Sequence, residues 1–66
     1  MELLINGKRH ELPGVETVSD VLRHFRLDGQ IVMVEWNGAI VSKDDYARTV
    51  LRPNDKLEIV HFVGGG

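Results

Sequence analysis

The chain has 66 residues and no cysteine, and three of its seven glycines are its last three residues. A chain this short buries only about 60% of the surface its unfolded form exposes, so nearly every apolar residue must help build the core, and without cysteine neither disulfides nor Cys-based zinc sites can support it. The 42% hydrophobic and 27% charged composition is globular, the net charge of −2 gives no basic field for nucleic acid, and the absence of a ~20-residue apolar run or a signal-peptide pattern points to a cytoplasmic protein with no membrane partner.

The chain shows no repeat, charge block or linker, and it predicts one domain over residues 1–63 followed by a flexible tail at 64–66. Glu2 to Ile5 is mostly aliphatic and runs into Asn6-Gly7, the pair that favours a type I′ hairpin because both positions tolerate positive φ. Lys8 to Leu12 is the return strand, charged enough to belong at a sheet edge. Pro13-Gly14 ends it. Thr17 reads as a helix N-cap with Asp20 three residues on, an imperfect capping box. Val18, Val21, Leu22 and Phe25 then follow at i, i+3, i+4 and i+7 as one apolar stripe, and the helix is expected to stop before Asp28-Gly29.

Ile31 to Val34 is a continuous β-branched-rich run and predicts a central strand covered at least partly on both faces. Asn37-Gly38 supplies a second hairpin turn into a short strand, Ala39 to Val41. Ser42 to Tyr46 reads as a capped helical turn and Thr49 to Leu51 as a further extended piece. Pro53-Asn54-Asp55 makes a β-turn. The last strand is expected from Lys56 to Val63, with Leu57 and Ile59 pointing inward and Val60 and Phe62 to the opposite face. Hairpin, helix, strand, short strand and final strand make an α+β plan in which one helix packs on one face of a mixed sheet and the final strand lies centrally beside the first. That is the β-grasp, or ubiquitin-like, architecture.

Few residues in the body of the domain suggest chemistry. Histidines 10, 24 and 61 are scattered, and surface roles suit them better than a metal site. Asp44-Asp45 reads as a helix-start charge pair rather than an acid/base pair, because adjacent residues point apart on regular elements. Ser19 and Ser42 lack the setting of a nucleophile, no phosphate-binding loop is present, and so small a chain has little room for a deep pocket. An enzyme acting alone is not expected.

The tail is different. His61-Phe62-Val63-Gly64-Gly65-Gly66 passes directly from an apolar strand into three glycines. A frayed terminus or an appended remnant would account for it. A third reading gives it a use. Three residues reach at most about 10 Å, and glycine's missing Cβ lets them thread a narrow channel and present the Gly66 α-carboxylate with no side chain beside it.

A β-grasp domain of this length with a Gly-Gly end resembles the ubiquitin-like sulfur carriers. The segment Ile31-Val32-Met33-Val34-Glu35-Trp36-Asn37-Gly38 and the ending Val60-His61-Phe62-Val63-Gly64-Gly65-Gly66 are similar to the ThiS family of thiamin biosynthesis over nearly the whole chain. The resemblance maps the family's glycine pair onto Gly65 and Gly66, with Gly64 as an additional glycine. It implies that a ThiF or E1-like enzyme adenylates Gly66 using its own ATP and Mg²⁺, so that this chain binds no cofactor. It further implies that a persulfide donor converts the adenylate to a thiocarboxylate, and that the thiazole synthase ThiG takes the sulfur while Gly64 and Gly65 thread the partner active sites. Val60 and Phe62, outward on the last strand, are expected to dock those partners, with Met33 and Trp36 divided evenly between docking and core. The alternatives are a MoaD-like carrier of molybdopterin synthase, a modifier conjugated to lysines, and a β-grasp interaction module with an inert tail.

Overall fold

Asn6 and Gly7 have φ of 50° and 81°, and Asn37 and Gly38 have 48° and 88°. Both pairs therefore make the type I′ turns that Asn-Gly predicts, and two hairpins follow from them. The computed structural model describes residues 1–62. The first hairpin joins β1 (Glu2–Ile5) to β2 (Lys8–Glu11), and the second joins β3 (Val32–Trp36) to β4 (Ala39–Val41). β5 (Lys56–His61) runs between the hairpins, parallel to β1 and antiparallel to β3, giving the order β2-β1-β5-β3-β4. The first and last strands are thus neighbours at the centre of a mixed sheet, as the element order implies. The charged β2 lies at one edge.

Helix α1 (Val18–His24) covers one face. Its capping box is complete: the Asp20 N–H donates to Thr17 Oγ1 at 3.3 Å, and Asp20 Oδ2 accepts from the Thr17 and Glu16 N–H groups at 3.0 and 2.9 Å. Those two backbone bonds, the Glu16 one foremost, hold the Asp20 carboxyl below its ordinary value against a small desolvation cost, with Arg23 assisting. Val18, Val21 and Leu22 enter a core shared with Leu3, Ile5, Val34, Leu57 and Ile59. Phe25, predicted to complete the stripe, is the half-buried C-cap.

Several boundaries differ from the sequence expectation, and the first is β2, which ends at Glu11 because Leu12 turns into the core. The helix ends at His24, because Arg26 takes φ of 59° and the Leu27 N–H reaches back to the Leu22 carbonyl at 2.7 Å, a Schellman ending made without glycine. Strand β3 starts at Val32 and is covered on one face only: Val34 is fully buried, whereas Ile31 is 71% and Met33 36% exposed. The Ser42 side chain makes no capping bond to the 3-10 turn over Lys43–Asp45, and Thr49 to Leu51 contributes a single bridge from Val50 to Thr17 rather than a strand. Strand β5 ends at His61, and Val63 lies outside the described residues. Arg52 to Asp55 forms the expected turn, in which Asn54 at φ of 71° follows Pro53 as a type II turn requires.

Candidate docking face and carrier terminus

Strand pairing decides which side chains meet on the face away from α1. Val60 stands opposite Met33, and Glu58 stands opposite Glu35. Beyond Val60, the Phe62 N–H donates to the Ile31 carbonyl at 3.0 Å, continuing the register by one step. Alternation places Ile31, Met33, Val60 and Phe62 on the same outer surface. All four are open to solvent, with Val60 at 43% and Phe62 at 52% exposure. On the far side of β3, Ile40 faces Glu35 across the β3–β4 pair and is also exposed. An apolar patch therefore covers the outer sheet face at the end where β5 gives way to the tail.

Val60 and Phe62 lie where the alternation of β5 predicts. Met33 joins them. Trp36 does not: it belongs to the helix-side face, packs against the core, and donates its indole N–H to Asp55 Oδ2 at 2.8 Å. Asp55 also accepts from the Arg52 backbone N–H at 2.9 Å and the Asn37 amide at 3.2 Å. Burial pushes the Asp55 carboxyl up, but the bonds from Trp36, Arg52 and Asn37 and the charge of Arg52 together outweigh it and hold the group below its ordinary value. This cluster ties the second hairpin to the turn before β5, so Trp36 has a structural duty. Ile31 is the patch residue that the sequence reading assigned to the interior; an apolar run cannot distinguish a strand buried on both sides from one that begins a residue later.

Strand β5 is secured close to the tail. Past the end of β1, the Asn6 side chain takes over the ladder: its Oδ1 accepts from the Ile59 N–H at 2.7 Å and its Nδ2 donates to the Ile59 carbonyl at 3.1 Å. His61 approaches Gln30 at 3.4 Å. On the helix side, His10 and His61 line a shallow groove of about 380 Å³ with Lys8 and Phe25, and His10 and His24 set their rings edge-on to Phe25 at 5.4 and 4.9 Å. Among the described residues no three His, Cys, Asp or Glu side chains gather as a metal-ligand set, and no helix is long and apolar enough to cross a membrane. Gly64, Gly65 and Gly66, the positions singled out for threading and modification, lie outside the described residues.

The profile of the ThiS family matches residues 3–66. The sulfur carrier protein ThiS of Bacillus subtilis is 46% identical over 50 residues, which cover 76% of each chain. A thiazole synthase of Paramagnetospirillum magneticum is 42% identical over all 66 residues of this chain, and one of Magnetococcus marinus is 36% identical over the same length. The chain spans about a fifth of the length of these two synthases, 20% in each case. The crystal structure of the thiamine biosynthesis protein (ThiS) from Geobacter metallireducens superposes with a TM-score of 0.81 at 30% identity, with both chains covered completely.

Proposed function

The chain belongs to the ThiS family, and from that membership we propose that it is a sulfur carrier of thiamin biosynthesis whose cargo rides on the Gly66 α-carboxylate. The observation that carries the reading is a family match running from residue 3 through the glycine end, on a domain whose exposed apolar patch adjoins the start of that end.

The chemistry follows from what a carboxylate lacks. Its charge repels nucleophiles and its leaving group would be oxide, so it must first be activated. A Gly66 oxygen attacks the α-phosphorus of ATP in a partner enzyme of the ThiF or E1-like type, pyrophosphate leaves, and an acyl adenylate forms. ATP and Mg²⁺ belong to that enzyme. The terminal sulfur of a persulfide donor then attacks the Gly66 carbonyl carbon, AMP leaves, and an acyl disulfide results. A thiol cleaves the S–S bond, forming a new disulfide and releasing the thiocarboxylate. That anion is a soft nucleophile suited to delivering sulfur to a carbon electrophile in a thiazole synthase.

The chain supplies presentation rather than catalysis. Gly64 and Gly65 give a side-chain-free segment that fits a narrow active-site channel, and the patch of Ile31, Met33, Val60 and Phe62 docks the partner outside it. Thiazole synthase is the partner suggested by the relatives of that name, in which a segment similar to this whole chain makes up a fifth of the protein.

Intact-mass measurement tests the proposal. After incubation with ATP, Mg²⁺, a ThiF-like enzyme and a persulfide donor, the chain should gain the mass difference between sulfur and oxygen, and deletion of Gly66 should abolish the gain. No gain under conditions that thiolate the B. subtilis carrier would overturn it.

A further inference from the structure

Glu35 and Glu58 stand directly opposite each other across β3 and β5, on the outer face and next along the register from Met33 and Val60. Like charges in that position oppose strand pairing. Within the sheet the other carboxylates have partners, Glu2 with Arg9 and Glu11 with the N-terminal ammonium, whereas the carboxylates elsewhere that enter no ion pair among the described residues, such as Glu16, Asp28 and Asp44, face no like charge across a strand pair. Glu35 and Glu58 enter none of the ion pairs among the described residues. Lys56 and Asn37 share their shallow hollow of about 510 Å³, but the Lys56 ammonium reaches neither carboxylate as an ion pair. A small domain has little stability to spare, so two like charges set directly opposite each other at the centre of its sheet are a feature to be explained.

Its place on the surface explains it. The apolar patch and the two glutamates form one continuous face, and the tail leaves from the apolar end. Interfaces set an apolar centre beside charges that choose the partner by complementarity. We propose that Glu35 and Glu58 are a recognition pair that selects a thiazole synthase surface carrying arginine or lysine beside an apolar hollow, the patch supplying area and the carboxylates supplying selectivity. The partner's identity rests on the carrier reading above. A guanidinium between the two carboxylates satisfies both, so docking removes the repulsion that the free carrier bears.

The test measures affinity of the full chain for the thiazole synthase by calorimetric titration at about 0.05 M and about 0.5 M salt, conditions between which exposed charge attractions are largely screened. The double variant Glu35→Gln with Glu58→Gln should bind about tenfold more weakly than wild type at low salt, with most of that difference gone at high salt. Its thermal midpoint should rise, because the repulsion in the free carrier is removed. Glu16→Gln with Asp44→Asn makes the same change in net charge outside the sheet, and should leave affinity within about twofold. Glu58→Lys, which pairs with Glu35 in the free chain, should bind more weakly than the double variant.

Wild-type affinity in the double glutamine variant would overturn the recognition role and leave the carrier reading standing. An equal loss in the Glu16/Asp44 control would also overturn it, since attraction would then depend on net charge and not on this pair. Failure of the wild-type chain to bind the synthase would refute the choice of partner itself.

Discussion

Phe62→Ala separates docking from folding. Phe62 follows β5, lies outside the core cluster and is 52% exposed, so its truncation should change stability by no more than about 0.5 kcal/mol. Fully burying a phenylalanine side chain contributes about 1.5–3 kcal/mol, and about half of that surface remains for a partner to cover. Docking through Phe62 is therefore worth about 0.8–1.5 kcal/mol, or a factor of about 4–12 in affinity. The assay is pyrophosphate exchange by the ThiF-like enzyme with the carrier as varied substrate, and the effect should fall on KM while kcat changes little, because the ring is remote from the reacting carboxylate. Val50→Ala serves as the control: Val50 is 63% exposed but lies outside the outer sheet face, in the bridge to Thr17, and its loss should leave KM unchanged. An unchanged KM in a folded Phe62→Ala chain, or an equal rise in both variants, would refute the assignment of the docking face.

Two predictions concern the scaffold. Leu57 is completely buried on the central strand; Leu57→Ala should cost about 2–5 kcal/mol, measured by urea denaturation, and a loss below about 1 kcal/mol would mean that the core does not depend on β5 as described. Asp20 and Asp55 both titrate below the ordinary carboxyl value of 3.8, so the stability they contribute is fully present above that value and is lost as pH falls through their lower folded values; thermal midpoints should hold steady down to about pH 5 and drop below about pH 4, and Asp55→Asn should lower the midpoint at neutral pH while shrinking the acid-induced drop.

Much of the fold is legible because the sequence marks it with residues of narrow conformational meaning. Asn6-Gly7 and Asn37-Gly38 announce two hairpins, and Thr17 with Asp20 announces the helix start, because few residues adopt those dihedrals or accept those bonds. The helix end is not legible in the same way. Arg26 adopts the left-handed conformation that glycine usually takes, so the boundary moves three residues ahead of the Asp28-Gly29 signal. The docking face is half legible. The alternation around Glu58 orients Val60 and Phe62, whereas Ile31 and Met33 sit in a run whose apolar residues look alike from either side. The opposition of Glu35 and Glu58 is invisible in sequence, because residues 35 and 58 meet only through the register of two strands.

Strand β5 joins these observations. Its alternation divides the domain's work: Leu57 and Ile59 fill the core against α1, while Glu58, Val60 and then Phe62 face outward. It pairs along both sides, with β3 throughout and with β1 until the Asn6 side chain takes over at Ile59. A strand held on two sides is, under the carrier reading, a firm base for a segment that enters a partner's active site, because ordering the base again on binding would cost conformational entropy. The same strand carries Val60 of the exposed apolar patch and leads directly into Phe62. A chain with no cysteine has no thiol on which to carry sulfur, and under the carrier reading the main-chain carboxylate takes that part, delivered from a strand that is paired on both sides.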